Sequence, residues 1–262
     1  MQLIGKVNVF TQRNKKFLVL LLIFLLIALY LSFMPSIFDV GALMIKAVAN
    51  PNGFHGYILN PVAVRHLDQQ TTTDGIVLGR DGYTITIPDS PELKDLSEEG
   101  KDTVAYQIGK GKNIILGAPG SAASMKEIYR RIDRRFLDTY GSGIEKAFGV
   151  ELDTEYRCLD FCYGIWAGSF SPINNQKNRM VLDLLTDNLS VRGHGKIYQI
   201  DTEDLKGFLN VFQYPAGDIN AVYTFFRNSN LDSATEIQFI GFYTIDEMEE
   251  IIQTIRFSEV GT

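Results

Sequence analysis

Apolar positions are distributed along this chain in three distinct ways. Phe17 to Met34 reads FLVLLLIFLLIALYLSFM, an apolar run broken only by Ser32, and Ile37 and Phe38 extend it past Pro35. Tyr83 to Pro88, YTITIP, alternates with the period of two that puts every second side chain on one face of a strand. Met125, Ile128, Tyr129, Ile132, Phe136 and Tyr140 recur every three or four positions, which draws one stripe along a helix.

The first pattern predicts a membrane anchor over residues 17–38. At 1.5 Å per residue, about 20 apolar residues cross the roughly 30 Å hydrocarbon core of a bilayer. A cleaved leader has a shorter apolar core, about 7 to 15 residues, with small residues close behind it, so the length favours an uncleaved signal anchor. Lys6, Arg13, Lys15 and Lys16 precede the run with no acidic residue among them, and Asp39 follows it. The positive-inside rule therefore expects residues 1–16 to be a cytoplasmic basic tail and everything after the anchor to be extracytoplasmic.

Beyond the anchor, residues 39–74 carry the turn-rich stretches NPNGFHGYILNP and QQTTTDG and read as a juxtamembrane spacer. Within it, Val40 to Val48 (VGALMIKAV) is apolar enough either to continue the membrane helix or to lie along the interface. Residues 75–262 are long enough for one domain with a sizeable core. Its expected strands are 83–88, 103–108 and 113–118, then, after the helices, 155–170, 179–186, 196–200, 207–213, 220–227 and 236–243. Ser124 as N-cap opens the helix 124–140, 144–148 is a short helical extension, and Thr244 with Glu247 opens a final helix. Short connections make the strands mainly antiparallel, giving an α+β fold: one sheet with helices packed on it, α/β/α sandwich-like.

Three stretches resemble the fold group of the photosystem II extrinsic protein P and DcrB (PsbP/DcrB-like): GYTITIPDSPE, GKIYQID with DLKGFLNVF, and the terminal FIGFYTIDEMEEIIQTIRF. The resemblance spans Gly82 to Phe257 and implies an antiparallel sheet sandwiched by helices in a secreted or membrane-attached accessory protein. Its motifs are structural and bring no functional residue; the anchor and spacer lie outside it.

Charge narrows the function. The formal net charge is −6, and removing the +4 tail leaves −10 on the remainder, which argues against generic nucleic-acid binding. The densest positive feature is YRRIDRRF, where Arg130, Arg131, Arg134 and Arg135 occupy the polar side of a helix. Arginine forks clamp carboxylates or phosphates, so these four form a candidate anion or partner patch. The competing reading is a solvated face with Glu127–Arg131 and Arg134–Asp138 pairs at i,i+4.

Catalytic signatures are missing. GAPGSAAS (117–124) precedes a helix but has Ala122 and Ala123 where a phosphate loop needs lysine and a hydroxyl, so it reads as a turn with a helix cap. His55, His66 and His194 lack metal-site spacing, the serines lack a nucleophile elbow, and the acidic runs at 201–204 and 246–250 suit turns and helix starts. Asn188-Leu189-Ser190 matches a glycosylation acceptor. No cofactor or metal is expected.

RCLDFCYGIW (157–166) holds both cysteines and the one tryptophan. Its alternation of Leu159, Phe161, Tyr163 and Ile165 reads as a strand, with α-carbons of Cys158 and Cys162 about 13 Å apart and beyond disulfide reach. Both are expected to be reduced and buried; a bridge would need a turn or bulge near Asp160, or a helix, whose i,i+4 geometry is tolerable for a metal but strained for a disulfide, and metal or redox chemistry is the remaining alternative. The resulting expectation is a membrane-anchored accessory or protein-binding domain without catalysis of its own. The alternatives are an extracytoplasmic hydrolase with a non-local site and a carrier of small ligands or lipid.

Overall fold

The computed structural model describes residues 2–49, 59, 61–70, 74–80, 82–98, 100–120, 122–192, 196–213 and 217–258. The helices are α1 (Gln2–Phe33), α2 (Ser36–Ala49), α3 (Met125–Tyr140), α4 (Ile144–Phe148), α5 (Glu155–Gly164), α6 (Asn175–Arg192) and α7 (Ile245–Ile252). The strands are β1 (Ala63–His66), β2 (Ile76–Arg80), β3 (Tyr83–Ile87), β4 (Lys94–Asp95), β5 (Thr103–Gly109), β6 (Lys112–Gly117), β7 (Lys196–Asp201), β8 (Leu205–Gln213), β9 (Ile219–Arg227), β10 (Asn230–Gly241) and β11 (Arg256–Phe257). An eight-stranded sheet runs β1-β7-β8-β9-β10-β6-β5-β4, and a three-stranded sheet runs β11-β3-β2. β1 joins β7 in parallel, whereas β7 through β10 form an antiparallel meander.

The meander strands are apolar on both faces, which dictates the layers. Leu209, Tyr223, Phe225, Ile237 and Phe239 point to one side and are fully buried beneath the small sheet and α7. There the Tyr83 ring meets Phe225 edge-on at 5.5 Å, and its hydroxyl donates to the Gly117 carbonyl at 3.0 Å. Phe208 and Phe226 point the other way, into a second core shared with α3, α5 and α6. Tyr156 and Tyr163 of α5 close on Phe208 at 5.7 and 5.2 Å.

Helix ends follow the sequence signals. Ser124 Oγ accepts from the Glu127 amide at 3.2 Å to open α3, and Gly141, at φ +67°, closes it by donating to the Leu137 carbonyl. Thr244 and Glu247 cap α7 reciprocally, at 3.2 and 2.9 Å.

Several expectations are corrected. Residues 155–170 and 179–186 are not strands. Thr154 Oγ1 caps α5 through the Arg157 amide at 3.2 Å, and Asn174 Oδ1 opens α6 through the Lys177 amide at 2.8 Å. Buried Tyr156, Leu159 and Tyr163, and buried Met180, Val181, Leu184 and Leu185, keep helical spacing. The sheet is not single, because β2, β3 and β11 leave it to cover its far face together with α7. The segment expected as a spacer is built into the body as well. Its α2 packs on α6, and its β1 extends the large sheet, fixed by an Arg65–Glu249 ion pair at 2.7 Å.

Among the described residues, one helical stretch, Lys15–Phe33, is long and apolar enough to cross a membrane, and none of it is buried.

Phe208 carries α5 on the sheet. Phe208→Ala should lower stability by about 3–5 kcal/mol through the cavity it leaves. Thermal unfolding of the detergent-solubilised chain measures this, and a change within error would show that α5 is held elsewhere.

Candidate functional site

The four arginines of α3 separate into two i,i+4 stripes. Arg130 and Arg134 face an open cleft of about 540 Å³ between α3 and the α4–α5 segment, which Lys126, Tyr129, Asp133, Glu145 and Asp153 also line. Arg131 and Arg135 lie on the neighbouring stripe. Arg131 leans on Glu127, whose carboxylate is 3.8 Å away, and Arg135 sits over the Phe136 ring. The expected Arg134–Asp138 pair is not among the ion pairs of the described residues, and Arg130 reaches Glu127 only at 3.9 Å.

The acidic residues of the cleft are committed to backbone amides or to Arg157. Asp133 Oδ1 accepts from the Ile144 amide at 2.6 Å and so caps α4, whose N-cap residue, Gly143, has no side chain to do it. A β-carbon on Gly143 would stand 2.5 Å from that oxygen, so the cap requires glycine here. Glu145 Oε1 accepts from the Leu152 amide at 2.8 Å, and Asp153 holds Arg157 at 3.0 Å. Glu155 receives Ser124 Oγ at 2.6 Å and the Lys126 amide at 3.0 Å, tying α5 to the start of α3. Lys126 Nζ donates to Asp232 at 3.1 Å, holding that carboxyl below its ordinary range. The guanidinium groups of Arg130 and Arg134 are what the cleft offers an incoming group. Their spacing suits carboxylate or phosphate oxygens.

A second groove, about 630 Å³ and sharing Leu152 with the first, runs past Phe148, Phe161 and Asp160. Asp160 belongs to a polar cluster that the sequence reading missed. Gln199 Nε2 bridges the Tyr156 hydroxyl at 3.2 Å and Asp201 Oδ2 at 3.1 Å, and Lys206 Nζ lies 5.7 Å from the Tyr156 ring centre. Asp160 is exposed on α5, yet partial desolvation of its carboxyl, reinforced by the Asp201 charge and opposed by Lys206, raises its pKa above the ordinary value. Asp160 and Asp201 lie 41 residues apart, and no local motif announced their meeting.

Cys158 and Cys162 sit on α5, not on a strand, and neither is in a disulfide. On a helix, side chains four apart have β-carbons about 5–6 Å apart, more than the roughly 3.5–4.5 Å of a disulfide. Both face the core, and burial pushes the Cys158 thiol up to about 12 while its Sγ donates to the Leu152 carbonyl. In the stretch 117–124, Pro119 and Gly120 form a turn whose Gly120 amide donates to the Ala234 carbonyl, and Ser124 caps α3. His55, His194 and the side chains of Asn188 and Ser190 lie outside the described residues, and His66 is exposed on β1. Among the described residues, no three His, Cys, Asp or Glu side chains are grouped as metal ligands.

No family model and no curated protein matches this chain. A crystal structure from Bacteroides thetaiotaomicron aligns with 69% of it at 11% identity and a TM-score of 0.30, which carries no argument for fold or function. The chain spans 46% of that protein's length.

Two outcomes follow. Mass spectrometry without reductant should find two thiols, unreactive to maleimide until the chain is denatured; a mass lower by two hydrogens would contradict the geometry. For Asp160 the folded pKa lies above the unfolded one, so its ionised form detracts from stability at neutral pH, and that loss is relieved as pH falls through the raised value. Asp160→Asn should therefore raise Tm at pH 7.5, by roughly 1–2 °C given solvent screening, with the gain shrinking in acid. An equal gain at both pH values would assign the effect to packing.

Proposed function

We propose that this chain is a single-pass membrane protein whose domain lies outside the cytoplasm, tethered by residues 17–38, and docks a protein partner without catalysing a reaction itself. The observation that carries this reading is the α3 cleft. Arg130 and Arg134 gather on an acidic domain, while Asp133, Glu145 and Asp153 are already engaged by backbone amides or Arg157 and Lys126 is paired with Asp232. An acidic segment of a partner would find cations there whose counter-charges are occupied. The accessory role implied by the PsbP/DcrB-like resemblance is consistent with this proposal, which does not depend on it.

The hydrolase alternative draws on one observation, the Asp160 carboxyl at the second groove, whose pKa is raised by burial and by the nearby Asp201 charge. Lipid carriage is disfavoured, because Phe208, Phe226, Leu159 and Met180 fill the space between sheet and helices.

A photo-crosslinking residue placed at Arg130 or Arg134 of the full chain, in intact membranes, should yield a discrete adduct. Arg130→Glu with Arg134→Glu should weaken the complex at least tenfold, about 1.4 kcal/mol, and added salt should weaken it too. Arg131→Glu should have a much smaller effect. Turnover of a substrate panel by the purified chain, with no adduct at either position, would move the assignment to the hydrolase.

A further inference from the structure

We infer that the outer face of α2, together with Ile173, lies in the membrane interface, so that the domain rests on the bilayer through a second contact beside α1. This deepens the anchored reading above and rests on α1 being the span.

α2 is apolar on two sides. Its inner side, with Leu43 and fully buried Ala47, packs into the helical core against α6. Its outer side shows Phe38, Ile45 and Val48, which are 61%, 71% and 67% exposed, with Ala42 exposed between them. These positions recur at helical spacing and make one stripe. Ile173, in the loop before α6, is 79% exposed. Left in water, such a stripe forgoes about 25 cal/mol for each square ångström of apolar surface, and it is the kind of surface that interfacial helices bury in lipid.

What covers it follows from its continuity with α1. Lys15–Phe33 has 19 residues, about 28 Å of helix, which takes the span to the far edge of a hydrocarbon core of roughly 30 Å. Pro35 interrupts the helix there, and α2 begins at the polar boundary. Two hydrogen bonds hold the domain at that level: the Tyr30 hydroxyl donates to the Pro172 carbonyl, and the Ser36 amide donates to Asn175 Oδ1 at 3.1 Å. The Pro172 contact fixes Ile173 beside the exit of α1. Exposed Asp39 and Lys46 are the only charged residues of α2; the lysine stem is long enough to carry its ammonium to the headgroups.

The test uses the full chain reconstituted in phosphatidylcholine vesicles with bromines on the acyl chains. Single tryptophans are introduced as I45W, I173W, L25W and V77W, and the emission of native Trp166 is subtracted using the unsubstituted chain. Emission from I45W and I173W should fall roughly two-fold, as from L25W, and that from V77W on β2 by less than about a tenth, because an interfacial helix buries its apolar face about 5–10 Å deep. Quenching of L25W with I45W no more quenched than V77W would overturn the inference and leave the anchor standing. An unquenched L25W would remove the anchor, and the inference with it. A blue-shifted but unquenched I45W would mean that protein, such as a second copy of the chain, covers the stripe, and that too overturns it.

Discussion

The double-sided apolar character of the central meander governs this fold. β8 and β9 carry Leu209, Tyr223 and Phe225 on one face and Phe208 and Phe226 on the other. A sheet apolar on both faces has to be covered twice. One cover is the helical layer led by α5 and α6; the other is assembled from β2, β3, β11 and α7, elements far apart in the chain. Because the covers are separate bodies with separate cores, the helical layer can carry clefts and charged stripes without disturbing the small sheet opposite.

What the sequence made readable depended on local chemistry. Helices α3 and α7 announced themselves through a capping residue followed by a single apolar stripe, and β3, β5, β6 and the meander strands through short apolar or alternating runs between turns. Helices α5 and α6 did not, because their segments are so densely apolar that periods of two and of 3.6 both fit. In 155–164, Leu159, Phe161 and Tyr163 obey the first period, and Tyr156, Leu159 and Tyr163 obey the second. Two polar residues decided the matter, Thr154 and Asn174, each capping a first turn. Strand β1 was unreadable for another reason. Its pairing with β7 spans more than 130 residues, and its anchor, Glu249, stands on the last helix.

The arginine patch was readable as a cluster but not as a site. Sequence spacing alone says that four arginines share the polar side of α3. It does not say that Arg130 and Arg134 border a cleft while Arg131 and Arg135 lie beside it. Nor does it say that Asp133, which looks like their counter-charge, serves the first turn of α4. The electrostatic coupling of Asp160 to Asp201 was hidden because it needs α5 to be a helix whose Tyr156 reaches Gln199 of β7.

The Tyr30 and Ser36 hydrogen bonds bear on what the proposed anchoring would mean for a search for a partner. A domain on a flexible tether samples a hemisphere whose radius grows with the square root of tether length, and its effective concentration at a neighbour is diluted accordingly. Here the body is stapled to the chain within a few residues of the end of the apolar stretch Lys15–Phe33. If α1 spans the bilayer as proposed above, such a domain would keep one azimuth and one height, leaving sideways diffusion and spin about the membrane normal. Encounter would then become a two-dimensional problem, in which a binding face at the right height counts for more than a high intrinsic affinity.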